Sequence, residues 1–321
     1  MKIAIIRLSA LGDIIQTAIV LEFIKKHYPD AKIDWFCDAK FAGILKNHKF
    51  IDNLITLNLK DKKFSESYQI LKKQNKNSYD LVIDFQGLIK SAVVARVLSK
   101  NTVGFDKNSI RERFATNFYK QKVAVPYGEN VIIRYLTLCS KALNFEFSKD
   151  EILTKKPIFS FEPAKISNKK RVLISPFASE ASKIYIHFDA VINTLKDDDL
   201  DIFICWGSES EYEKALELSQ KTGAILLDKM NLQEMINFIS NCDLTIGNDS
   251  GITHLAWAQN RASITLFGNR PSYRNAYTTD INLTLDTGKK IDAMKIDKTD
   301  FCINEIEPNL VIKTAKKLLE R

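Results

Sequence analysis

Short apolar, β-branched runs alternate with stretches whose apolar residues recur at helical spacing, and this alternation organises the whole chain. Residues 2–7 (KIAIIR), 32–37 (KIDWFC), 53–57 (NLITL) and 80–84 (DLVID) predict strands. Residues 13–27 and 88–99 predict amphipathic helices between them, and further helical stretches follow at 110–119 and 129–143. A polar segment with lysines and proline, 147–170, interrupts the pattern. It then restarts, with strands at 171–175 (RVLIS), 201–206 (DIFICW), 224–227, 243–247 and 263–267 and helices at 209–220, 232–240 and 308–319. Pro308 opens the last helix, where a missing N–H costs nothing. Strands alternating with helices imply parallel pairing through right-handed crossovers. The expected class is therefore α/β, with two doubly wound domains divided in the polar segment.

Composition narrows the function classes. A length of 321 residues fits two domains, and 45% hydrophobic with 27% charged residues excludes a disordered chain or a small disulfide scaffold. The net charge of +8 suits an anionic partner, whether nucleic acid, membrane surface or small substrate, without choosing among them. Five scattered cysteines without a C-x-x-C pair, and four dispersed histidines, predict neither a disulfide framework nor a zinc site. The first apolar run is too short for a signal sequence, and no uncharged apolar stretch approaches the roughly 18 residues of a membrane span. The expected location is cytoplasmic.

In doubly wound sheets ligands gather outside the carboxyl ends of the strands, so the strand-to-helix turns are where chemistry is expected. The first is SALGD, 9–13, where Gly12 allows close backbone approach and Asp13 sits at the helix start. An aspartate there reads either as a helix cap or as a general base at the mouth of the sheet. Neither a G-x-G-x-x-G fingerprint nor a G-x-x-x-x-G-K-[ST] loop occurs in the chain. The second turn, DFQGLIKS at 84–91, would line a sugar or acid pocket, or be a polar turn in which Gln86 caps backbone groups. The third, GNDSGITH at 247–254, leaves backbone N–H groups convergent at a helix start, which with the helix dipole suits an anion and above all phosphate. Its alternative is a well-capped helix. WGSESE, 206–211, places a carboxylate where ribose hydroxyls bind, or where it merely favours a helix N-terminus. The 175–183 loop, SPFASEASK, adds hydroxyls and Lys183, and Lys60, Lys62, Lys63, Arg111 and Arg113 form basic clusters in the first half.

Taken together, RLSALGDIIQT (7–17), DFQGLIKSA (84–92), WGSESE and NDSGITHLA (248–256) resemble the bacterial lipopolysaccharide heptosyltransferases, glycosyltransferase family 9, across essentially the whole chain and in the same order. The 84–92 element is most similar to members that add the first heptose. The resemblance implies a GT-B fold, two Rossmann-like domains facing a cleft that closes over the substrates. Its acceptor domain would be 1–165 and its nucleotide-sugar domain 166–305, with helix 306–321 packing back on the first. It implies an inverting, metal-independent transfer of L-glycero-D-manno-heptose from ADP-heptose to Kdo of Kdo-lipid A in the inner core of lipopolysaccharide or lipooligosaccharide. No cofactor is implied, ADP-heptose being a substrate, and the enzyme would touch the anionic cytoplasmic face of the inner membrane.

Residue by residue, the resemblance makes Asp13 the catalytic carboxylate and Lys183 the lysine facing the phosphates. It assigns the nucleotide-sugar to Ser179, His254, Glu211 (ribose), Met230 (adenine), and Asp249, Ser250 and Gly251 (diphosphate). Lys60, Gln86 and Arg111 fall on the acceptor side. The chain departs from the family where Ala178-Ser179 replaces Thr-Thr, Ile184-Tyr185 replaces a tryptophan, and Lys60-Asp61-Lys62-Lys63 replaces an arginine-rich loop. The competing readings are a heptosyltransferase acting on a heptose acceptor, another GT-B nucleotide-sugar transferase, and a basic nucleic-acid-binding α/β protein. The last lacks an aromatic RNA-binding signature and its basic clusters are interrupted by acids.

Overall fold

In the computed structural model, which describes residues 1–59, 64–75, 79–163, 168–196 and 199–320, the chain forms two units, Met1–Ile158 and Phe159–Arg321. The apolar runs of the first unit become β1 (Lys2–Ile6), β2 (Lys32–Asp38), β3 (Asn53–Leu57), β4 (Leu81–Asp84), β5 (Thr102–Phe105) and β6 (Gln121–Val123). They pair in the order β3-β2-β1-β4-β5-β6, all parallel. Helices α1 (Leu11–Thr17), α2 (Ile19–His27), α3 (Phe64–Asn75), α4 (Ile89–Leu98), α5 (Val131–Leu143) and α6 (Lys149–Leu153) supply its connections and its end. The central strands β1 and β4 are buried almost throughout, as strands covered on both faces must be.

The second unit repeats the plan with β7 (Lys170–Ser175), β8 (Leu200–Ile204), β9 (Ile225–Leu226), β10 (Leu244–Asn248), β11 (Ala262–Phe267) and β12 (Asn282–Asp286). Their order is β12-β11-β10-β7-β8-β9, again all parallel. Its helices are α7 (Phe188–Leu195), α8 (Glu209–Thr222), α9 (Leu232–Ser240), α10 (Gly251–Ala258), α11 (Ser272–Asn275) and α12 (Pro308–Leu319). Numbered from its own first strand, each sheet reads 3-2-1-4-5-6, the dinucleotide-fold order. The order reverses between β1 and β4 in one unit and between β7 and β10 in the other. At that reversal the following connections leave to opposite faces, and a crevice opens at the carboxyl edge.

Several expectations need correction. Within helix 306–321, α12 packs on α7, β10 and β11, with Val311, Ile312, Ala315 and Leu318 in the core of the second unit. The second unit also begins earlier than residue 166. Phe159 exchanges both backbone hydrogen bonds with the Gln259 amide at 3.0 Å, and Glu162 N–H donates to Asn237 Oδ1 at 3.1 Å. The helix expected over 13–27 is two helices that meet at Ala18, and it starts at Leu11 with Ala10 at the N-cap position. The helix expected over 110–119 is a 3-10 turn, Arg113–Phe118, because Thr116 Oγ1 turns back to Arg113 O at 2.9 Å and the chain must enter β6 directly after.

Candidate active site

The two strand ends at the first unit's reversal point carry one candidate site. Arg7, one residue beyond β1, is buried, and its Nη2 lies 2.7 Å from Asp13 Oδ2. Its Nη1 donates to Phe85 O at 2.8 Å, and its guanidinium faces the Tyr135 ring at 5.3 Å. Burial alone would lower the Arg7 pKa, but Asp13, then Tyr135 and Asp84, outweigh it and hold the guanidinium above its ordinary value. Asp13 itself is at the third helical position and reaches back to Ala10 N–H at 3.3 Å. It therefore steadies the helix start as the acid of a capping box does, not as the N-cap. Tyr135 O–H donates to its other oxygen at 3.3 Å, and the side chain is 42% exposed. A carboxylate so held, with Oδ2 fixed by the ion pair, Oδ1 in only a long 3.3 Å hydrogen bond and the side chain part open to solvent, can take a proton from a substrate hydroxyl.

Asp84, at the end of β4, is the opposite case. It is fully buried and accepts from Tyr119 O–H at 2.6 Å, Ser91 O–H at 2.8 Å, Gln86 N–H at 2.8 Å and Gly87 N–H at 3.3 Å. Burial pushes its pKa up against those four donors. Asp84 shapes the turn and is closed to substrate. Gly87 allows that turn: its φ is +69°, and a Cβ would lie 2.7 Å from Ile110 Cγ2. Gln86 Oε1 accepts Leu8 N–H at 2.8 Å, stapling the β4 turn to the β1 turn. Arg111 lies exposed ahead of the 113–118 turn, while Lys60 falls outside the described residues.

The second unit carries a candidate site at its own reversal point. Asp249, just past β10, is buried, with Lys183 Nζ 2.7 Å from Oδ2 and His254 Nε2 3.0 Å from Oδ1. Burial would raise its pKa, but Lys183 and His254 hold the carboxyl far below the usual range. Both its oxygens are spent, so Asp249 orients a lysine and a histidine rather than meeting an anion itself. What faces outward is the start of α10. Ser250 at its N-cap makes no side-chain cap bond, and Ser250 Oγ has no partner among the described residues. The first N–H groups, near Gly251 and Ile252, are thus left for a ligand. Gly247 permits the close layering beneath: a Cβ there would lie 2.7 Å from Ser175 O and 3.2 Å from Thr253 Cγ2.

Asn248 was not singled out in the sequence, yet it carries the loop that holds Lys183. Fully buried, it accepts Tyr185 N–H at 3.1 Å and donates to Pro176 O at 2.8 Å, gripping both ends of the 176–185 segment. Ser179 is exposed on that segment. Glu211 completes the capping box of α8, with Oε2 accepting Gly207 N–H at 2.7 Å and Ser208 N–H at 3.2 Å. The S-x-x-E spacing of 208–211 already carries that signal. Trp206, also unselected, donates to Leu227 O at 2.8 Å and lies under Lys229 at 5.4 Å. Its half-buried ring thereby joins the α8 start to the 227–230 stretch with half-buried Met230. A separate cavity of about 450 Å³, near Lys169, Lys196, Leu200 and Gly223, opens at the amino ends of the strands, away from these residues. Among the described residues no group of three His, Cys, Asp or Glu side chains is placed to hold a metal ion.

An E. coli heptosyltransferase WaaC solved with ADP has the same fold, with a TM-score of 0.82 at 22% identity over 99% of this chain and 100% of that one. Two doubly wound, all-parallel sheets of this order thus define a fold of the GT-B class. A family model for glycosyltransferase family 9 (heptosyltransferase) matches residues 68–298. The lipopolysaccharide heptosyltransferase 1 of Campylobacter coli is 50% identical over 99% of both chains. The lipooligosaccharide heptosyltransferase 2 of Campylobacter jejuni is 25% identical over 100% of this chain and 99% of its own. The chain belongs to glycosyltransferase family 9, the heptosyltransferases.

Proposed function

We propose that this heptosyltransferase moves L-glycero-D-manno-heptose from ADP-heptose to a Kdo residue of Kdo-lipid A, with inversion at the anomeric carbon. The observation that carries the chemistry is the Arg7–Asp13 pair, an open carboxylate fixed by a buried cation at 2.7 Å. The identity to a heptosyltransferase 1, twice that to a heptosyltransferase 2, favours the acceptor. Asp13 accepts the proton of a Kdo hydroxyl as that oxygen attacks the anomeric carbon. The new glycosidic bond forms on the face opposite the breaking bond to phosphate, and ADP departs with the electron pair. Lys183 and the N–H groups at the start of α10 meet the growing charge on the diphosphate. Glu211, Met230, Ser179 and His254 are assigned to the nucleotide-sugar, with Ser250 and Gly251 at the diphosphate. Arg111, Gln86 and Lys60 are assigned to the acceptor.

The acceptor is a membrane lipid, so the proposal places the enzyme at the cytoplasmic face of the inner membrane. Among the described residues no helix is long and apolar enough to cross a membrane. The test is turnover of ADP-heptose by Asp13→Asn. General-base catalysis is worth about 10²–10⁴-fold, and kcat should fall by that much while ADP-heptose still binds. A variant that keeps most of its kcat removes Asp13 from the reaction.

A further inference from the structure

One face of α4 is turned to water, and it is not a polar face. Ile89 and Val93, one turn apart, are 40% and 39% exposed, so two aliphatic side chains stand side by side on it. The 3-10 turn 113–118 packs against α4, and its Phe114 is 62% exposed. Ile89 N–H donates to Glu112 Oε2 at 2.7 Å and joins the two elements. The charges beside the three apolar groups are Lys90, Arg96, Arg111 and Arg113, all exposed. Glu112 opposes them, with an oxygen already engaged by Ile89 N–H. Single exposed apolar residues are ordinary. Three on two packed elements, flanked by four cations against one acid, are the chemistry of a surface that enters the headgroup layer of an anionic bilayer.

We propose that α4 and the 113–118 turn form a docking surface for anionic lipid. The assignment deepens the functional reading above and rests on it for its purpose, since a lipid-borne acceptor must be met at a membrane. The placement suits that purpose. α4 starts directly after the Asp84–Gly87 turn, and β4 neighbours β1, so the surface begins at the same sheet edge as Asp13. The cations supply a salt-sensitive attraction to phosphate headgroups, and the three apolar groups give insertion.

The experiment is co-sedimentation of the full-length protein with vesicles, with no sugar substrate present. The protein should bind vesicles of phosphatidylglycerol and phosphatidylcholine at low salt and ignore phosphatidylcholine alone. Val93→Ser with Phe114→Ser should bind about tenfold more weakly at an unchanged melting temperature. Lys90→Ala with Arg96→Ala should lose about fivefold per removed cation and flatten the salt dependence. Binding that ignores lipid charge, or is equal in both double variants and the parent, overturns the proposal. So does a concentration-dependent dimer that Val93→Ser with Phe114→Ser makes monomeric, which would assign the surface to a second copy. Failure to transfer heptose would instead strike the functional reading and leave vesicle binding as measured.

Discussion

Arg7 is buried, and Asp13 is its counter-ion, so any replacement of Asp13 also decides the fate of a charge that water cannot reach. Were Asp13 only an N-cap, Asn would serve about as well. The ion pair says otherwise. Breaking a buried pair from one side costs about 3–5 kcal/mol, and the exposure of Asp13 brings the expected loss to about 1–2 kcal/mol. Asp13→Asn should therefore unfold at lower urea, and adding Arg7→Met should recover part of the loss. Equal midpoints for Asp13→Asn and the parent would show that Arg7 needs no partner. The sequence displays Arg7 and Asp13 in one motif but not their contact. The pair exists because the turn after β1 doubles the chain back, a geometry with no periodic signal. Tyr135, which completes the site, is distant in sequence and sits within an ordinary amphipathic helix.

Loops on either side of β10 are tied to it and to each other, and this sets the behaviour of the second unit's site. Asn248 grips the Lys183 loop from below. Arg270, past β11, pairs with Glu180, past β7, at 2.9 Å, so the two loops are joined across the width of β10. Asn248→Ala would strand Tyr185 N–H and Pro176 C=O, each costing about 1–3 kcal/mol if left unpaired. It should lower stability by about 2–4 kcal/mol and weaken ADP binding, measured by calorimetry on the folded variant. Unchanged ADP affinity would mean that this loop does not hold the nucleotide. The apolar strands of both units were legible as unbroken β-branched runs. β5 and β6 were not, because Gly104 and the polar pair Gln121-Lys122 interrupt them, and β12 was not, because NLTLD alternates polar with apolar residues instead of forming a run. The helix α3 was hidden by its polar run KKQN. The expectation of an anion site at the Asp249–His254 turn gave no hint that its carboxylate would be consumed by Lys183 and His254.

At the scale of the whole molecule the repeated strand order is the principal fact, and it was implied by the alternation of elements without being fixed by it. The pH response belongs here too. Burial lowers the His48 pKa to about 4 from its ordinary 6.5, while its Nδ1 accepts Phe50 N–H at 3.2 Å. The folded chain then binds fewer protons at this site than the unfolded chain. Its stability is intact above pH 6.5 and falls as pH drops toward 4, by up to about 3 kcal/mol. Urea midpoints across that range should show the limb, and His48→Gln should flatten it; an unchanged limb would place the titration elsewhere. The account as a whole stands on which acceptor is glycosylated. The most direct measurement is turnover of ADP-heptose with Kdo-lipid A and with its heptosylated form as separate acceptors. Transfer to Kdo-lipid A, with little or none to the heptosylated form, is the result expected; preference for the heptosylated acceptor would contradict it.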